Sequence, residues 1–324
     1  FRQGGERNAL GRLKNQINND WVALTVFEYQ SSPTSTDIAP NTTGINPVTG
    51  SGWSTSSTED DIREGVRQAR SANMKILLKP QLDLYTGEWR ASIRPDEEGN
   101  WFASYTAMML KYARLCNELH VEMLSIGTEY IVATQSKYTF RWRRVIDEVR
   151  RSYAGQLTYA SNWSGDFAHG ITQPEFSQIG FWSDLDYVGV DTYFPLTDAQ
   201  SDTLPAYDVA LNRAISASSQ IGFVSYRYSK PVIITEIGIQ SVRGALASPW
   251  DFSIGNSAGA IPDSAVQQFY YRVMIDAIGK QPWCSGMFWW HWESVTSSNA
   301  VTNYTPEDKP AAVVLRQWYS GIGI

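Results

Sequence analysis

Lys230-Pro-Val-Ile-Ile-Thr-Glu-Ile-Gly238 carries the clearest fold signal in the chain. Pro231 can open a strand but not sit inside one, and Val232, Ile233 and Ile234 form the continuous apolar run of a parallel strand buried on both faces. Glu236 then falls at the carboxyl end of that strand. In a barrel of parallel strands this end carries the chemistry, so Glu236 is a catalytic candidate.

A second stretch repeats the pattern. Met123-Leu-Ser-Ile-Gly-Thr-Glu-Tyr130 is another short apolar strand ending in a carboxylate, Glu129. Two strand-end carboxylates are the minimum apparatus for retaining glycoside hydrolysis, in which one attacks and the other serves as acid and then base.

Outward from these two, strands and helices alternate. Strands are expected at 21–29, 75–80, 157–163, 186–196 and 286–293, and amphipathic helices at 6–18, 58–72, 101–119, 138–153, 205–226, 264–280 and 309–320. Thr58 with Asp61 forms a variant capping box at the start of the second helix. The alternation predicts a single-domain (β/α)8 TIM barrel, residues 1–324, with seven strands visible and the first truncated or hard to identify. Either Phe1 to Gln3 is the stub of that strand or the strand lies upstream. A doubly wound sheet is the alternative, but no Gly-rich phosphate turn follows any strand.

Composition narrows the function. The formal net charge of -6 disfavours a sequence-independent hold on nucleic acid, and no apolar run approaches a membrane span. The chain is expected to be soluble and monomeric, with secreted and cytoplasmic placement both open. Cys116 and Cys284 have no metal-like spacing and read as buried thiols, and His120, His169 and His291 share no spacing, so neither a metal nor a cofactor is expected. Thirteen Trp and seventeen Tyr are many for 324 residues, and much of the excess falls in loops and strand ends, where rings suit the apolar faces of sugars. The loop aromatics Trp53, Trp89 and Trp250 are candidates for such contacts.

The stretches Ile126-Gly-Thr-Glu129, Leu157-Thr-Tyr-Ala-Ser-Asn-Trp163, Phe181 to Leu196, Lys230 to Gly238 and Phe288-Trp-Trp290 together resemble glycoside hydrolase family 113, the retaining endo-β-1,4-mannanases. The resemblance implies Glu129 as acid/base on the fourth strand and Glu236 as nucleophile on the seventh. It also implies Tyr193 as a hydrogen-bond donor to the nucleophile and Trp290 as the platform under the sugar at the cleavage point. Thr128 stands where many members of the wider clan carry Asn, which leaves the contact to the sugar 2-hydroxyl to Asn162 or Trp163. Lys79, Gln81, Asp191, Asn162 and Trp163 are further strand-end candidates for sugar hydroxyls, against ordinary salt bridging or packing. The expected partner is a β-linked oligo- or polysaccharide. The alternatives are the same mechanism on β-glucan, xylan or galactan, and a carbohydrate-binding barrel without turnover, which would have no use for two strand-end acids.

Overall fold

A computed structural model describes residues 9–294 and 300–322. Helix α1 (Ala9–Ile17) leads into strand β1 (Trp21–Gln30), and helix α2 (Glu59–Ser71) into β2 (Lys75–Leu84). The chain continues through α3 (Glu98–Glu118), β3 (Met123–Thr128), α4 (Thr139–Ser152), β4 (Gln156–Asn162), the one-turn α5 (Glu175–Gln178) and β5 (Val188–Asp191). It ends through α6 (Tyr207–Tyr228), β6 (Val232–Ile237), the short α7 (Ser253–Asn256), α8 (Ser264–Met274), β7 (Cys284–Trp289) and α9 (Pro310–Tyr319). The seven strands form one parallel sheet in sequential order, curled with helices outside: the expected (β/α)8 barrel. Because β1 is the second strand of the expected eight, β3 and β6 are its fourth and seventh.

Local chemistry accounts for the elements. The capping box closes α2, with the Thr58 side chain accepting from Asp61 N and the Asp61 carboxylate from Thr58 N. The Arg-rich face of α4 is solvated and paired, Arg143 with Asp184, Arg150 with Asp186 and Arg151 with Glu148. Strand β5 is shorter than the apolar pattern at 186–196 suggests. It stops at Asp191, and Thr192 N already donates to Glu236 O at 2.7 Å.

Side-chain alternation then decides what faces the axis. Leu77, Met123 and Ile233 form an apolar plug at the bottom, against Trp21, Ala23, Tyr187 and Phe288. Two residues further along β2 the inward position is Lys79, and two further again Gln81.

β1 and β7 share no ladder among the described residues. Trp21 and Phe288 meet edge to face across the seam, with centroids 6.5 Å apart. A cavity of about 330 Å³ runs along it, from Leu13 and Ile17 of α1 to Lys79 and Glu236. The expected stub at Phe1 to Gln3 lies outside the described residues.

The two strands that carry the candidate carboxylates are both irregular at their carboxyl ends. Ser125 pairs with Thr158 but Thr128 with Ala160, and Val190 pairs with Ile234 but Asp191 with Glu236. Each shift inserts one extra residue, a bulge that re-aims the side chains beyond it. Gly127 sits in the first bulge, where an added Cβ would stand 2.7 Å from a Tyr159 ring carbon and 2.9 Å from the Tyr105 hydroxyl and a Tyr130 ring carbon. All three rings are buried and cannot yield. Gly127→Ala is therefore expected to cost about 1–3 kcal/mol of stability, read from the urea midpoint, and an unchanged midpoint would show that the bulge has slack.

Candidate active site

Strand register brings the site to one height. Asn162 of β4 pairs with Asp191 of β5, and Asp191 with Glu236 of β6. Glu129 follows β3, and its N–H donates to Ala160 O of β4 at 2.9 Å. The two carboxylates reached by sequence thus flank Asn162 and Asp191 at the carboxyl rim.

Glu236 is held by three donors. Lys79 Nζ donates to Oε1 at 2.6 Å, Gln81 Nε2 to the same oxygen at 3.1 Å, and the Tyr193 hydroxyl to Oε2 at 2.9 Å. Burial works against its charge. The Lys79 charge and hydrogen bond outweigh burial, with help from the Arg90 charge and Tyr193, and hold the carboxyl below the usual range. Glu236 is therefore kept ionised and aimed.

Lys79 is 1% exposed and also donates to both oxygens of Asp191, at 3.1 and 3.0 Å. Burial lowers its affinity for a proton, but the charges of Asp191 and Glu236 prevail and its pKa is raised. Asp191, fully buried, takes a further bond from Thr235 at 2.6 Å. Burial and the neighbouring Glu236 push its pKa up, against the pull of Lys79.

This changes the reading of three residues. Lys79, Gln81 and Asp191 stand as strand-end candidates for sugar hydroxyls in the sequence. In this structure all three are buried, Lys79 and Gln81 donate to Glu236, and Lys79 also donates to Asp191. Salt bridging, the bland option for Lys79 and Asp191, is what the fold uses.

Glu129 has a different surrounding. Asn162 Nδ2 donates to its Oε1 at 2.6 Å, and Arg90 Nη1 and Trp89 Nε1 to its Oε2 at 3.2 and 3.3 Å. Arg90 is anchored on Asp83, at 2.6 and 2.9 Å. The Asn162 amide is thus engaged by Glu129 in this structure. The Glu129 backbone has φ 55°, a left-handed conformation that non-glycine residues seldom adopt.

The aromatic candidates fall into separate groups. Trp89, 45% exposed, lies over Glu129. Trp163 packs on Phe194 and on Trp250, itself 46% exposed, with centroids 5.5 and 5.4 Å apart. Trp53 joins Tyr29 and Tyr85 above β1 and β2. Trp289 and Trp290 both line the cavity that Glu236 borders, and Trp289 also stacks on Tyr271 with centroids 3.9 Å apart. Among the described residues no cluster of His, Cys, Asp or Glu could hold a metal ion, and no helix is long and apolar enough to cross a membrane. Cys116 is buried and Cys284 half-buried, both free.

Two contributors escape the sequence reading. Arg90 stands beside Trp89 in a loop, and only its pairing with the strand-end Asp83 could have marked it. Glu175 opens the one-turn α5, which is too short to give a periodic signal. Its carboxylate is buried behind Asn162.

The family model for Glycoside Hydrolase Family 113 matches residues 1–307. The chain belongs to glycoside hydrolase family 113. It is a glycoside hydrolase. Among solved structures it is similar to a family 113 β-1,4-mannanase complex, at 24% identity and TM-score 0.77, over 97% of this chain and 93% of that one. The β-mannanase AaManA from Alicyclobacillus acidocaldarius in complex with ManMIm gives 24% and 0.79, over 98% and 93%. A β-glucuronidase from Dictyoglomus thermophilum gives 16% and 0.60, over 98% of this chain and 47% of that one. At these identities the likeness is one of fold. A sequence search of curated proteins gives no match.

Removing the buried cation tests the electrostatics of this family 113 site. Lys79→Met leaves Asp191 and Glu236 adjacent without the cation they share, and breaking such a buried pair is expected to cost about 3–5 kcal/mol of stability. Since Lys79 lowers the Glu236 pKa, its loss raises that pKa. The acidic limb of the kcat/KM profile should therefore move to higher pH, and a limb that stayed in place would remove Lys79 from control of Glu236.

Proposed function

We propose that the protein is a single-domain, monomeric retaining endo-β-1,4-mannanase that works without a cofactor. In this reading Glu236 is the nucleophile and Glu129 the acid/base. The observation that carries it is the asymmetry between the two carboxylates. Lys79, Gln81 and Tyr193 fix Glu236 in its charged form. Glu129 sits apart on the next-but-two strand, held only at the rim by Asn162, Arg90 and Trp89. Arg90 touches Glu129 and its charge also acts on Glu236, so the two share one electrostatic site.

The steps follow from that arrangement. Glu236 attacks the anomeric carbon while Glu129 gives its proton to the departing glycosidic oxygen, and a covalent glycosyl-enzyme forms. Glu129, now ionised, takes a proton from water as the water attacks the same carbon. Two displacements restore the original configuration. Tyr193 keeps the attacking oxygen oriented, and Trp290 offers a face to the sugar at the cleavage point. Trp89 and Trp250 are exposed enough to meet sugars further along the cleft, with the half-buried Trp163 packed against Trp250 and the half-buried Trp53 beyond them. Mannan as substrate rests on the family and on the two β-mannanases of the same fold. A panel of β-1,4-manno-, gluco- and xylo-oligosaccharides tests it, and cleavage of only the gluco or xylo series would replace mannan.

The roles separate with an activated aryl β-mannoside and azide. Glu129→Ala should lose about 10²–10⁴-fold on mannan, keep the first step on the aryl substrate, and be accelerated by azide to give the β-azide. Glu236→Ala should form no covalent intermediate, and any azide product should be the inverted α-azide. The opposite pattern would exchange the two assignments.

A further inference from the structure

Glu175 is 1% exposed, and among the described residues no basic side chain is a hydrogen-bond partner of it. Each of those partners is a donor. Its Oε1 accepts from the Tyr159 hydroxyl at 2.6 Å and from Thr134 Oγ1 at 2.8 Å, and its Oε2 from the backbone N–H of Asn162 at 2.7 Å.

Two of these bonds lead to Glu129 from opposite sides. The Tyr159 hydroxyl, while donating to Glu175, accepts the N–H of Tyr130 at 2.8 Å. It thereby holds the peptide that follows the left-handed residue 129. Asn162, whose backbone is fixed by Glu175, sends its side-chain amide to Glu129 Oε1 at 2.6 Å. Ser164 secures the other end of that amide, its N–H and hydroxyl donating to Asn162 Oδ1 at 2.7 and 2.9 Å. One carboxylate thus fixes both the backbone and the side chain of Glu129.

We propose that Glu175 is a positioning residue for the acid/base, holding Glu129 in its working geometry through Tyr159 and Tyr130 on one arm and through Asn162 on the other. The proposal rests on the assignment of Glu129 as acid/base. A buried carboxylate with only hydrogen bonds for compensation is costly to maintain, and burial, reinforced by the nearby Glu129 charge, raises its pKa to about 7. The titratable groups that face it are Tyr159 and Glu129. A left-handed non-glycine residue persists only where its surroundings over-determine it, and the two arms do so.

The test compares wild type, Glu175→Gln, Tyr159→Phe and Glu129→Ala. Gln keeps the shape of Glu175 but leaves a single acceptor oxygen: with that oxygen on the Asn162 N–H, its NH2 faces the Tyr159 and Thr134 hydroxyls that donate to Glu175 Oε1. Phe removes only the hydroxyl that joins Glu175 to Tyr130. Each is assayed on the β-glycan that the wild type cleaves and on the dinitrophenyl glycoside of the same sugar, whose departure needs no proton. Glu175→Gln and Tyr159→Phe should lose about tenfold or more on the glycan, with the loss in kcat rather than KM. Their first-turnover release of dinitrophenolate should stay within about threefold of wild type, and azide should raise their steady-state rate, because the base step is impaired too.

Equal losses on both substrates, or no loss on either, overturn the proposal. If Glu175→Gln does not fold, Tyr159→Phe decides it by the same criteria. If Glu129→Ala itself lacks the leaving-group pattern, the acid/base assignment has failed and the proposal falls with it. If Glu129→Ala shows the pattern and the other two do not, only the role of Glu175 is refuted.

Discussion

A single ammonium group inside a ring of parallel strands sets the terms for the rest of the site. Lys79 lies between Asp191 and Glu236, 3.0 Å from one and 2.6 Å from the other. An ion pair so deep gains from Coulomb attraction what desolvation takes away, and contributes little net stability. It contributes orientation and charge state instead. The barrel supplies it by alternation, since the inward positions of β2 change from Leu77 in the apolar plug to Lys79 and then Gln81. Asp191 and Glu236 arrive from β5 and β6 at the matching height.

The second carboxylate depends on backbone geometry more than on charge. The bulge in β3 and the left-handed turn at Glu129 swing that residue onto the rim, where Asn162, Arg90 and Trp89 meet it. Neither feature is favoured locally. Each is held by the aromatic packing behind β3 and β4, where Tyr105, Tyr130, Tyr159 and Trp142 interlock edge to face. The buried Glu175 closes that layer on the side of the site.

How far the sequence discloses this can be judged residue by residue. Glu236 and Glu129 are legible because an apolar run of β-branched and aliphatic residues ending in Glu marks a strand and its carboxyl end together. Glu28 shows the limit of that signal. It also follows an apolar run and precedes a Tyr, yet alternation turns it outward to Lys111 and to the Tyr112 hydroxyl on α3. Tyr193 is legible through the family resemblance and Asn162 as a strand-end polar residue, but only register reveals that Asn162 reaches Glu129. The bond from Lys79 to Asp191 joins positions 112 apart, and the bulges depend on neighbouring strands, so no local pattern encodes either. Glu175 is silent for the same reason: its whole meaning lies in the three donors that converge on it.

In the proposed mechanism the carboxylate clamped by Lys79 attacks the sugar. This attack is tested most directly by treating the enzyme with an aryl 2-deoxy-2-fluoro-β-mannoside, which slows the second step, and mapping the resulting label by mass spectrometry. One fluoroglycosyl group per chain is expected, on the peptide that contains Glu236. A label on Glu129 or on another residue, or unlabelled enzyme that releases an inverted product, would contradict it.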